Sequence, residues 1–187
     1  MVVAGGFLIG AILFAQVASP VHRVFDPLQM EGFISIKQLF SAKAHRVPVK
    51  APDLTITTLE GKDLTLGDLC GLNQLVVINF WATWCRPCIE EMPALERTHT
   101  AYRHNRIALL GIATQDSASK VREFVTQHNI TYEIALDKED KISNAFGGVK
   151  VLPTTVFLDN KGNIIKIHKG YLTQRELELN LKNLLPK

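Results

Sequence analysis

Cysteine is scarce in this chain, with three among 187 residues, at positions 70, 85 and 88. So low a count excludes a disulfide-stapled mini-fold, which takes its stability from several bridges in a short chain. A structural zinc site needs four ligands, and only Cys70 and six scattered histidines, none at finger-like spacing, could complete one around Cys85 and Cys88. Covalent haem attachment needs histidine directly after Cys88, where Ile89 stands. Basic clusters are missing too. The net charge is +3 and the pI near 8.8, with no run of Lys and Arg to track phosphates, so nucleic acid is not an expected partner. From Val2 to Ala18 there is no charge at all, and Gln16 is the only polar side chain. Carried through Ser19 and Pro20 to Val21, this run reaches the roughly 17–25 residues that a membrane helix needs.

What the chain does have is Phe80-Trp81-Ala82-Thr83-Trp84-Cys85-Arg86-Pro87-Cys88. The apolar, β-branched run Leu75 to Phe80 fits a strand buried on both faces. Pro87 fits the first turn of a helix, where its missing N–H is no loss. Cys85 then stands at the helix N-terminus, where free N–H groups, the helix dipole and the neighbouring Arg86 all favour a thiolate. That makes Cys85 the nucleophile. Residues three apart share a helix face, so Cys88 can resolve a mixed disulfide formed at Cys85. A purely structural bridge closing so small a loop would add little stability.

Together with Glu91, Pro93 and the later Gly148-Val149-Lys150-Val151-Leu152-Pro153-Thr154-Thr155, these residues resemble the TlpA/ResA group of thioredoxin-like reductases from about Ala51 onward. The resemblance implies an α/β thioredoxin fold with an added N-terminal β-hairpin and a central insertion. It implies a thiol-disulfide oxidoreductase using no cofactor beyond the Cys85/Cys88 pair, and a cis Leu152-Pro153 bond facing that pair. Leu152, the residue before the proline, would offer its backbone to an extended substrate in the manner of strand addition. Trp84, Arg86 and Pro87 complete the expected substrate surface, while Trp81 is expected in the core.

Glu91 lies one turn beyond Cys88, and the family pattern places a functional glutamate here. Thioredoxin itself carries a buried aspartate where this strand has neutral Asn79, so the proton acceptor must come from elsewhere. A carboxylate there would hold the cysteine pair protonated and make it a better reductant, against the pull of Arg86 and the dipole. Sequence leaves the balance open. Glu90, His99 and His104 read as helix surface, and Cys70 as a small semi-buried residue in a turn.

The expected organisation is a membrane anchor over 1–21, a linker over 22–50 and the thioredoxin-like domain over 51–187. An uncleaved anchor is favoured over a cleavable signal because no basic residue precedes the apolar run and Val17-Ala18-Ser19 is followed by Pro20. Within the linker, Phe33 to Phe40 fits either a partly ordered tether or a short amphipathic helix. The basic residues Arg23, Lys37, Lys43, Arg46 and Lys50 follow the anchor, which by the positive-inside rule would leave the domain in the cytoplasm. The resemblance implies the opposite, and the expected placement of the domain is periplasmic or extracytoplasmic. The expected partners are disulfides or dithiols of exported proteins and a membrane electron donor.

Hydrophobic periodicity predicts a hairpin of Leu54 to Thr58 with Asp63 to Thr65, then a turn from Gly67 to Gly71. It predicts the active-site helix from Arg86 to His104, strands at 107–113 and 134–136, and helices at 117–127 and 141–146. A hairpin of 155–158 with 164–168 and a helix from Thr173 to Leu185 close the domain. Alternating strands and helices imply a parallel core.

Three other functions stand beside this one. The peroxidatic pattern Pro-x-x-x-Thr-x-x-Cys is absent before Cys85. A dedicated cytochrome c maturation reductase acting on apocytochrome c lacks the glutamate after proline typical of the CcmG branch, because residue 154 is Thr. A redox-gated binding or metal-delivery protein would use the pair to hold a partner or a soft metal without turnover.

Overall fold

A computed structural model describes residues 48–186, so the expected anchor and most of the linker lie outside the described residues. Among the described residues no helix is long and apolar enough to cross a membrane.

The organising element is strand β4 (Leu75–Trp81), buried at every position. Six of its seven residues are apolar, which lets it lie in the middle of a sheet with helices over both faces. Helix α2 (Arg86–Tyr102) follows and returns the chain to β5 (Ile107–Thr114), parallel to β4. Helix α3 (Ala118–Gln127) leads to β6 (Glu133–Asp137), parallel to β5, and then to the short helix α4 (Lys141–Ala145). The antiparallel pair β7 (Thr154–Asp159) and β8 (Asn163–Lys169) closes the sheet on the other side of β4, before helix α5 (Gln174–Leu184). With the short strand β1 (Val49–Lys50) on β8, the strand order is β1-β8-β7-β4-β5-β6.

Alternation along β4 divides the core in two. Leu75, Val77 and Trp81 meet Met92 and Leu95 of α2, Val121 and Phe124 of α3, and Leu177 and Leu181 of α5. Val76, Ile78 and Phe80 face the other way, toward Ile56, Leu66 and Cys70, with Ile142 and Phe146 packed at the margin. Ile56 belongs to a separate hairpin, β2 (Thr55–Thr57) with β3 (Asp63–Thr65), joined to the sheet through the bridge of Thr58 to Ala135. The expected hairpin and α/β core are thus present, with α3 and β6 inserted between the halves.

Two expectations need correction. The segment expected as a turn from Gly67 to Gly71 is helix α1 (Leu66–Leu72), capped by Thr65, whose hydroxyl accepts from the Asp68 amide at 3.1 Å. Two glycines lower helix propensity, but the cap and the burial of Leu66 and Cys70, four apart on one face, outweigh them. Cys70 is accordingly fully buried. The domain also begins before residue 51, because Val49 and Lys50 pair with Ile164 and Asn163 of β8.

Gly111 of β5 pairs with Asn79 of β4. A Cβ at residue 111 would stand 2.5 Å from Ile134 Cδ1 and 3.1 Å from both Trp81 Nε1 and Tyr132 Cε2. Any side chain here must displace the Ile134 tip and press on Trp81 and Tyr132. Gly111→Ala should destabilise the domain by about 1–3 kcal/mol, as overpacking does. Thermal unfolding of the full chain checks this; an unchanged midpoint would mean that the Ile134 side chain simply swings aside.

Candidate active site

The junction of β4 and α2 is built as the residue types dictate. Cys85 is the N-cap of α2 in extended conformation, Pro87 follows in the first turn, and the Cys88 amide donates to Cys85 Sγ at 3.3 Å. Cys85 and Cys88 are joined as a disulfide with their Cα atoms 5.3 Å apart. Cys85 is 5% exposed and Cys88 fully buried, so an incoming thiol or disulfide meets Cys85 first. Of the two, only Cys85 has the access and the helix terminus that a nucleophile needs.

A groove of about 690 Å³ opens at Cys85. Trp84, Arg86 and Pro87 line one side, Val149, Lys150 and Leu152 another, and Thr114 and Gln115 the rest. The residues expected from sequence to touch substrate therefore converge, although they lie more than 60 positions apart. Pro153 is the exception. The Leu152–Pro153 peptide is cis, but Pro153 is buried and its carbonyl accepts from the Gly170 amide at 2.8 Å, leaving Leu152 as the groove residue. Trp84 is 60% exposed while Trp81 is fully buried. The Arg86 guanidinium reaches Glu90 at 3.0 Å in a highly exposed pair, so Glu90 is surface as expected.

Glu91 is fully buried behind the cysteines. Its Oε1 accepts from Asn79 Nδ2 at 2.7 Å and its Oε2 from the Leu172 amide at 2.9 Å. Burial pushes its carboxyl up to about 7, against the pull of these two donors toward the ionised form. A carboxyl poised there can take or give a proton at neutral pH.

Sequence reasoning missed several supporting residues. Leu172 reaches Glu91 from the β8–α5 loop through a backbone N–H, which no side-chain pattern signals. Trp84 Nε1 donates to the Gln115 carbonyl at 3.2 Å, with Gln115 in the left-handed region at φ 51°. Asp116 Oδ2 accepts from the Thr83 amide at 2.7 Å and Oδ1 from the Ser117 amide at 2.9 Å, tying the active-site approach to the start of α3. An acidic residue before a Ser helix cap was the one readable clue. His99, expected on the surface, is half-buried, its ring 6.0 Å from that of buried Tyr132. His104 is exposed as expected.

Comparison with known proteins agrees with this geometry. Residues 47–167 match the model of the AhpC/TSA family. The chain is 33% identical over 170 residues to the thiol-disulfide oxidoreductase ResA of Bacillus thuringiensis (strain Al Hakam), covering 89% of this chain and 96% of that one. A thiol:disulfide interchange protein of the thioredoxin family from Chlorobium tepidum TLS superposes with a TM-score of 0.68 at 25% identity, covering 74% of this chain and 97% of its own. A secreted Mycobacterium tuberculosis disulfide oxidoreductase, homologous to E. coli DsbE, superposes with a TM-score of 0.63 at 25% identity, covering 70% and 96%. The chain belongs to the thioredoxin-like AhpC/TSA family, as a thiol-disulfide oxidoreductase of the ResA and DsbE kind.

Proposed function

We propose that this oxidoreductase works as a reductase of disulfides in exported proteins, held by residues 2–21 to the cytoplasmic membrane with its catalytic domain outside. The observation that carries the direction is Glu91, a buried carboxyl behind the dithiol. Its negative charge, once formed, disfavours a second charge on the neighbouring sulfurs, and a dithiol with raised thiol pKa is the better reductant. The extracytoplasmic placement is supported by the apolar run Val2 to Val21 and by the secreted solved relative.

In the reduced protein the Cys85 thiolate attacks one sulfur of a substrate disulfide, displacing the other as a thiolate and forming a mixed disulfide. Glu91 takes the proton of Cys88, whose sulfur then attacks Cys85 Sγ. The Cys85–Cys88 disulfide closes and the second substrate sulfur leaves. Two electrons pass to the substrate, which takes up two protons to become a dithiol. A membrane dithiol donor returns the pair to its reduced form. Leu152 supplies the backbone edge along which the substrate lies, and Trp84 an exposed aromatic face.

Glu91→Gln should lower the apparent pKa of Cys85 and slow exchange at neutral pH by roughly 10²-fold, a typical contribution of a positioned proton acceptor. Ultraviolet thiolate absorbance against pH, alongside insulin reduction, measures both. An unchanged curve in a folded variant makes Glu91 merely structural. The same substitution reports on stability. A carboxyl raised in the folded state stabilises the fold at low pH, and this contribution is lost as pH rises from the ordinary glutamate range to about 7. Over that window wild-type stability should therefore fall relative to Glu91→Gln.

Cys88→Ala should accumulate mixed disulfides with client proteins through Cys85, because attack survives while resolution is lost. Cys85→Ala should trap none by this route. Non-reducing gels of membrane fractions make the comparison, and equal trapping by both variants rejects Cys85 as the nucleophile. Precursors of c-type cytochromes among the clients would assign the protein to cytochrome c maturation.

A phosphatase reporter fused after Lys187 should be active, as it is only outside the cytoplasm. Activity of a cytoplasmic reporter alone at that position would show that the basic residues after the apolar run decide orientation.

A further inference from the structure

Asn79 and Thr155 take no part in the sulfur chemistry, yet both are fully buried beside it. Asn79 is the one polar residue of β4. A buried primary amide is costly unless it is bonded; here both hydrogens are used, while Oδ1 has no partner. Nδ2 donates to Glu91 Oε1 at 2.7 Å and to Thr155 Oγ1 at 3.1 Å. Thr155 is the direct partner of Asn79 across the β4–β7 ladder and stands two residues after Pro153. The chain Thr155–Asn79–Glu91 thus runs from the strand that follows the substrate-docking loop to the proton acceptor. An amide suits this place: it supplies one donor to each neighbour and brings no charge to compete with a carboxylate.

We propose that Asn79 and Thr155 are positioning residues for disulfide exchange: Thr155 orients the Asn79 amide, and the amide holds the Glu91 carboxyl where it takes and returns the proton of Cys88. This rests on the reading of Glu91 as proton acceptor. The titratable groups around Glu91 are few. Cys85 and Cys88 lie before it on α2, and on the β6 side stands the buried Tyr132 hydroxyl, raised by burial and by the charges of Glu96 and Glu91. The β8–α5 loop contributes the Leu172 amide, and α5 presents apolar Leu177 and Leu181 to the same core. Asn79 is therefore the only side chain that hydrogen-bonds the Glu91 carboxyl among the described residues.

The test is the rate of disulfide exchange against pH for the full chain. Asn79→Leu removes a donor to the ionised form, so the Glu91-dependent step should move up by about one pH unit or more. Exchange at neutral pH should fall about fivefold for a one-unit shift and recover at higher pH. Thr155→Val, close in shape and lacking the hydroxyl that accepts from Asn79, should shift the step the same way by less. In the wild-type protein, which needs no variant to fold, the Asn79 side-chain amide resonances should titrate with the Glu91 midpoint. A purely structural role would lower the unfolding temperature and leave the midpoint in place. The proposal is overturned by static amide resonances, or by unshifted profiles in folded Asn79→Leu and Thr155→Val while Glu91→Gln alters its own. A Glu91→Gln profile identical to wild type would instead remove the acceptor reading on which the proposal stands.

Discussion

The burial of β4 on both faces is the constraint from which the rest of the molecule follows. A strand with no solvent-facing side must find partners for its polar groups within the protein; both amide hydrogens of Asn79 are bonded, while its Oδ1 and Trp81 Nε1 have no partner. It also delivers the chain to one fixed point, the edge where α2 begins. Cys85 therefore stands at the mouth of the groove because seven residues before it are locked in the sheet, and Asn79 meets Glu91 because strand alternation and helix spacing bring both to the same core. The chemistry is an outcome of register.

Two electrostatic influences act on the cysteine pair from opposite directions. The start of α2 offers unpaired N–H groups to Cys85 and favours its thiolate. Glu91, three residues past Cys88 and sealed from water, opposes charge on the pair once it is ionised. Arg86 does little to tip the balance, since its charge is shared with Glu90 in an exposed pair that solvent screens. The interior carboxyl acts undiluted.

Much of this was legible in the sequence, for physical reasons. Runs such as Leu75 to Phe80 and Ile107 to Ala113 have few alternatives to a buried strand, and the Cys-x-x-Cys pair with Pro87 marks a helix start. The hydrogen-bond partners of Glu91 were not legible, because Leu172 contributes a backbone group that every residue type possesses. Gln115 carries no mark of its left-handed backbone or of its carbonyl's bond to Trp84. The helix at Leu66–Leu72 was hidden because its glycines read as turn residues, while the force that folds them, burial of Leu66 and Cys70 against β4, is a tertiary effect. His99 was misplaced for the same reason, since only the fold brings Tyr132 beside it.

The edge of the sheet at β8 has a further consequence. Strand β1 covers only Asn163 and Ile164, so the stretch from Ile165 to Lys169 has no strand on its outer side among the described residues. An open edge bearing exposed Ile165 and Ile167 is a template on which a second chain could add a strand. Lys169 leaves an exposed cation on that edge, the kind of residue that discourages strand addition, whereas the Lys166 ammonium is turned to Asn180 Oδ1 of α5. The one exposed lysine of that edge therefore has a use far from the cysteines: Lys169 sets a charge in the path of a strand-adding copy, a task separate from thiol exchange.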